Sequence, residues 1–264
     1  MLVRTPAIVL ASSPYRETSQ LATLLTRDLG RVRVLAKGIR NRRWGEVGAL
    51  DLLTYGTVTV YVGRGDLHLL GETAPFRQWP RLRADLDRIY GAFWWIELAR
   101  RMGPDRVPDV PWFRLVCHGA HVLDQCEQIR PLLDWLALRA LALHGVMPRL
   151  DGCAACGAPL ARIATPRFDQ VSGGVVCERC PTRRPAVPLS HGTVAVARYL
   201  VACDAPPERL LLDEDQRREL GRMLANATGH VLERPMRLER LLIDGVPRPR
   251  AREGALACDH SEAG

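Results

Sequence analysis

Along residues 31 to 37, Val32, Val34 and Ala36 alternate with Arg31, Arg33, Leu35 and Lys37. A period of two is that of a strand with one face buried. The stretch TVTVYVGRGDLHLL repeats the pattern, with Val58, Val60 and Val62 on one face and Thr57, Thr59 and Tyr61 on the other. Gly63-Arg64-Gly65-Asp66 then supplies a turn into a further strand. Several short strands in the first 75 or so residues, rich in β-branched positions, predict a small closed barrel.

Beyond Pro80 the period lengthens. Leu82, Leu86, Ile89, Phe93 and Ile96 recur at intervals of four and three, which predicts a helix with that stripe buried, ending near Met102. The run GPDRVPDVP interrupts it. A helix is predicted from Trp112 to Ile129, and Pro131 suits the first turn of another that ends near His144-Gly145. Ser190 is placed to cap a helix through Val201, Asp213 one through Val231, and PMRLERLL closes the series. The tail after Gly245 is polar and aperiodic, so residues 246–264 are expected to be disordered. No internal repeat is present.

Interrupting the helical series are two C-x-x-C knuckles, Cys153/Cys156 and Cys177/Cys180, separated by twenty residues. That spacing suits four thiolates converging on one tetrahedral zinc ion. Gly157 follows the first knuckle, where such turns often need a left-handed residue. Four sulfurs leave no open position for water or substrate, and they give the centre a net negative charge that disfavours a bound hydroxide. The expected role of zinc is therefore structural, holding a loop too small for a core of its own. Arg162, Arg167, Arg179, Arg183 and Arg184 lie nearby in sequence to offset the charge. Cys117, His118, His121 and Cys126 share one predicted helix and are read as packing residues, as is at least one of Trp94 and Trp95. Cys258 and His260 fall in the tail.

Patterning thus gives an α+β, multidomain chain of 264 residues. Its expected divisions are a barrel over 1–79, a helical domain in two parts over 80–147 and 188–245, and a cysteine-bearing insertion over 148–187. With 47% hydrophobic and 25% charged residues the composition is ordinarily globular. Neither a signal-peptide pattern nor a membrane-length apolar run is present, so a cytoplasmic protein with reduced thiols is expected.

Charge narrows the partners. The net charge is +8, carried by arginine with Lys37 as the only lysine. Between residues 27 and 45 the cations Arg27, Arg31, Arg33, Lys37, Arg40, Arg42 and Arg43 face a single acid, Asp28. Arg31, Arg33 and Lys37 share strand parity, and the loop after Gly38 carries Arg40, Arg42, Arg43 and Trp44. Cations spaced along a strand suit a phosphate backbone, and a tryptophan beside them offers a stacking surface. No Walker lysine motif, H-E-x-x-H, G-x-S-x-G or G-x-G-x-x-G occurs. A binding protein is expected, not an enzyme.

In order and spacing, several segments resemble the RecO-type recombination mediators of bacterial DNA repair. They are TPAIVLASSPYRETSQLATLLTRDLGRVRVLAKGIR, LHLLGETAPFRQWPRLRADLDRIYGAFWWIEL, LALHGVMPRLDGCAACG with GGVVCERC, and PMRLERLL. The resemblance reaches to about residue 245. It implies an N-terminal OB-fold barrel joined to a helical domain, with a zinc ribbon inserted. It also implies binding of single- and double-stranded DNA, annealing of complementary strands, and action with RecR to help RecA displace single-strand-binding protein, whose acidic C-terminal tail is a further partner. Nucleoid association within the cytoplasm would follow. Two other classes share these parts. Formamidopyrimidine-type glycosylases are basic and carry a four-cysteine finger, but they need a proline as residue 2 followed by a glutamate, where this chain has Leu2 and Val3. An RNA-binding factor with an OB barrel and zinc ribbon would prefer RNA over DNA of equal length.

Overall fold

The computed structural model describes residues 1–39, 50–74 and 76–245. Arg40, Arg42, Arg43 and Trp44, and the tail 246–264, lie outside the described residues.

Five strands close into a barrel: β1 (Leu2–Tyr15), β2 (Ser19–Thr26), β3 (Gly30–Ala36), β4 (Tyr55–Tyr61) and β5 (Leu67–Thr73). Their order around the barrel is β1-β2-β3-β5-β4, and β3 pairs with β5 in parallel while every other pairing is antiparallel. This is an OB-like arrangement, as expected. β1 can serve two neighbours because it is long. Leu2 to Ile8 pair with β4 and Ala7 to Tyr15 with β2, with a register shift between Val9 and Ala11. A bulge there bends the strand around the barrel.

The alternation does what its period dictates. Val32, Val34, Ala36, Val58 and Val60 point inward with Ala7 and Val9 to fill the barrel. On β1 the opposite face is covered too: Ile8 and Leu10 join Leu25 and Leu53 in a second core shared with the helices. That explains the unbroken apolar run Ala7 to Leu10, since a strand buried on both faces has no polar side.

The helical part comprises α1 (Leu86–Met102), α2 (Val110–Gln125), α3 (Ile129–Leu143), α4 (His191–Ala202), α5 (Glu214–Val231) and the short α6 (Arg240–Asp244). Side chains of Asp85, Asp109, Ser190 and Asp213 accept hydrogen bonds from the first turns of α1, α2, α4 and α5. Each satisfies one of the backbone N–H groups orphaned at a helix start. Among the described residues, no helix is long and apolar enough to cross a membrane.

One expectation fails. α1 forms where the period placed it, and Ile96 of the expected stripe is buried, but most of the buried face lies elsewhere. Leu86 and Phe93 are 55% and 45% exposed, whereas Arg88, Gly91, Trp94, Trp95 and Leu98 are buried. The small residues decide. A Cβ on Gly91 would stand 2.9 Å from Ile129 Cγ2, so the glycine lets α1 close on α3. Trp95 lies over Gly119, where an added Cβ would come within 2.3 Å of its ring, and its Nε1 donates to Val116 O at 3.1 Å. Both adjacent tryptophans are core.

Between α3 and α4 lies a three-stranded sheet of order β7-β6-β8, from β6 (Arg167–Asp169), β7 (Gly174–Val176) and β8 (Val187–Pro188). The β6–β7 turn is held by Asp169, whose carboxylate accepts from Ser172 N (2.9 Å) and Ser172 Oγ (2.6 Å), with Gly173 at φ 68.

Barrel and helices meet at the start of β3. Gly30 has φ 67, and a Cβ there would lie 2.3 Å from Val107 O, in the α1–α2 connection. Alongside, Arg106 N donates to Arg31 O (3.1 Å), and Arg31 Nε bonds Asp105 Oδ1 (2.6 Å). Trp79 Nε1 adds a buried bond to Leu53 O at 2.7 Å.

Candidate nucleic-acid interface and metal centre

The two knuckles converge. Cys153 and Cys156 sit in the turn after α3, and Cys177 and Cys180 follow β7, so the short sheet carries the second pair to the first. Sγ–Sγ distances are 3.7 Å (Cys153–Cys180), 3.9 Å (Cys156–Cys177) and 3.6 Å (Cys177–Cys180). All four sulfurs lie within 4.8 Å of one another, a group positioned to hold a metal ion. Among the described residues no other cluster of this kind occurs.

Backbone geometry favours thiolates here. Burial works against a charged Cys153, but N–H groups of Cys156 and Cys177 point at its sulfur and outweigh that cost, lowering the thiol to about 6. Cys177 is also lowered, the amides of Arg179 and Cys180 outweighing burial. Cys180 is pushed the other way, to about 12, by the sulfurs of Cys177, Cys156 and Cys153. Four sulfurs this close cannot all ionise without a cation among them. Arg167 reaches the knuckle backbone, donating from Nη2 to Cys177 O (2.8 Å) and Cys180 O (3.0 Å). Cys117, His118 and His121 of α2, and Cys126 just beyond its end, form no such centre. Burial raises the Cys117 thiol to about 12, and His118 and His121 pack on Trp135 and Trp79.

The basic residues divide. Arg33 and Lys37 are exposed, and no ion pair with either occurs among the described residues. Arg31 shares their parity but is half-buried and bound to Asp105, whose carboxyl it holds below the usual carboxylate range. Its charge is thus largely matched within the protein. Arg40, Arg42, Arg43 and Trp44 lie outside the described residues.

Beside this cationic row runs an apolar one that the sequence reading missed. Leu21 pairs with Leu35, Leu35 with Leu69, Leu69 with Tyr61 and Tyr61 with Leu2, so one register line crosses all five strands on the outside of the barrel. Tyr61, Leu69 and Leu2 are exposed. Alternation put Tyr61 on the outer face, but only the cross-strand register aligns it with the leucines.

Known proteins agree with this construction. Residues 1–78 match the family model described as recombination protein O N terminal, and residues 83–240 match recombination protein O C terminal. A protein named DNA repair protein RecO from Roseiflexus sp. (strain RS-1) is 34% identical over 243 residues, covering 89% of this chain and 82% of that protein. One of the same name from Anaeromyxobacter sp. (strain K) is 37% identical, covering 73% and 76%. Another, from Myxococcus xanthus (strain DK1622), is 38% identical, covering 67% and 72%. With both halves matched in order, and barrel, helices and cysteine cluster in place, the chain belongs to the recombination protein O family.

Proposed function

We propose that this protein is a non-enzymatic recombination mediator in DNA repair. It binds single- and double-stranded DNA, anneals complementary strands and helps load RecA onto DNA coated by single-strand-binding protein. The observation that carries the reading is the outward cationic row of β3 and its extension, Arg33 and Lys37, exposed on the barrel, with Arg40, Arg42, Arg43 and Trp44 next in the sequence. Four residues apart on extended chain, Arg33 and Lys37 stand up to about 13 Å apart and can meet separate phosphates of one polyanion. Neutralising phosphates lowers the repulsion between two approaching strands, which speeds annealing without any bond being made or broken. RecR and the acidic tail of single-strand-binding protein are the protein partners in this reading, and the cytoplasm its compartment.

The metal is zinc, held by Cys153, Cys156, Cys177 and Cys180. A regular tetrahedron with zinc–sulfur bonds of about 2.3 Å has edges of about 3.8 Å; the Cys153–Cys180, Cys156–Cys177 and Cys177–Cys180 separations are 3.7, 3.9 and 3.6 Å, and all four sulfurs lie within 4.8 Å of one another. Residues 1–79 form the DNA-binding unit, and residues 148–187 brace the helical part.

Binding to single-stranded DNA across a salt series tests the row. Replacing Arg33 and Lys37, or Arg40, Arg42 and Arg43, by alanine should weaken binding and flatten the log–log slope by about 0.7 per lost contact. Unchanged slopes in both variants would remove the barrel from the DNA path. Annealing of complementary strands precoated with single-strand-binding protein tests the role itself, and no acceleration by the protein would overturn it.

A further inference from the structure

The outer face of β3 does not end at the barrel. It opens into a groove of about 1000 Å³ between β2–β3 and α1, lined by Arg31 and Arg33 on one wall and Tyr90, Phe93 and Arg100 on the other. Phe93 is the residue whose burial the helical period predicted and the packing refused. It is 45% exposed, with buried Ile96 behind it. Arg101 and Arg237 also line the groove, giving five arginines against two acids. Both acids are engaged: Asp105 by Arg31, and Glu97 by Arg101 (3.6 Å) and by the backbone N–H of Arg237 (2.9 Å). What faces solvent is cationic, with the ring of Phe93 in the wall formed by α1.

We infer that a single DNA strand leaves the barrel through this groove, with a base stacked on Phe93 beside Tyr90 and phosphates against Arg33 and Arg100. The inference rests on the barrel as the DNA-binding unit and extends it to a helical residue set. Two features select this occupant. The excess positive charge calls for a polyanion, and a planar apolar face beside cations suits an unpaired base, which a duplex does not offer. Arg33 belongs both to the barrel row and to the groove wall, so the two surfaces are continuous.

Phe93→Ala is the primary test, since an exposed ring can be removed without opening the core. It should weaken single-strand binding roughly 5- to 150-fold, the range for one lost stacked base, with the salt slope unchanged and duplex affinity intact. Phe93→Trp should restore binding, and Arg100→Ala should lower the slope by about 0.7. Photocrosslinking of an iodouracil-substituted strand should give adducts on Phe93 or Tyr90. Wild-type binding by Phe93→Ala, alongside weakened binding by the Arg33/Lys37 variant, would overturn the groove and leave the barrel reading intact; an acidic protein docked there would give that result. Equal loss on duplex would overturn stacking. Were neither of these variants impaired, nor the Arg40/Arg42/Arg43 one, the barrel reading would fall and the groove with it.

Discussion

Asp134 lies on α3 with 2% of its side chain exposed, and its nearest cation is Arg130, whose Nε is 3.9 Å from Oδ1. Neither of those atoms has a hydrogen-bond partner among the described residues. Burial pushes the carboxyl up to about 7, and Arg130 only partly opposes it. A carboxyl that ionises later in the folded than in the unfolded chain favours folding at low pH. Its opposition to folding grows between the unfolded value near 4 and about 7, then levels off. Asp134→Asn should therefore be more stable than the parent at pH 8, by about 2–4 kcal/mol, with the gap closing toward pH 4. Urea midpoints at both pH values measure this; a gap that does not change with pH would show that Asp134 is not protonated on folding. Arg31 makes the complementary point. Its parity was legible from the sequence, its engagement was not, because Asp105 stands 74 residues away.

Elements differ in how much of themselves the sequence displays. β3 and β4 were legible because a strand with one dry face writes its burial as a strict alternation, and Val32, Val34, Val58 and Val60 all point inward. The helix caps at Ser190 and Asp213 were legible because capping is local chemistry. The buried face of α1 was not. It carries two competing stripes, and the choice fell to Gly91 and Gly119, whose lack of a side chain is a property of the helix pair and invisible to a hydropathy count. The knuckles were the clearest signal, since ligand type and spacing are nearly the whole site. The apolar row across the barrel was the least visible, being a matter of register between strands. The ribbon also makes an element-scale prediction. Its sheet has strands of only three, three and two residues, too little to stand alone. Chelation, or Cys153→Ser, should remove hydrogen-exchange protection from residues 148–187 while the barrel keeps its protection and DNA binding its salt slope. Loss of barrel protection in step with the ribbon would contradict a purely bracing role.

The described residues form two cores, but they are not independent. One fills the barrel, and the other runs from Ile8, Leu10, Leu25 and Leu53 of the barrel wall into the helices and on to the knuckle residues Cys153 and Cys177. Heating should thus melt strands and helices together, in a single transition by near- and far-ultraviolet circular dichroism. Trp79→Phe, which deletes the buried bond to Leu53 O, should lower that one transition, at a cost of about 1–3 kcal/mol. Two separated transitions would mean that the shared core does not couple the halves.

The seat of Gly30 against Val107 pins the start of β3 to a fixed spot, with Thr26 Oγ1 bonded to Gly30 O at 2.9 Å across the preceding turn. Side chains downstream then face in or out by odd and even count alone. One residue inserted between Gly30 and Val32 would swing Arg33 and Lys37 toward the barrel interior and turn its valines to water, so during divergence the turn before Gly30 is free to change length while the strand after it can lengthen only where the count is restored in pairs.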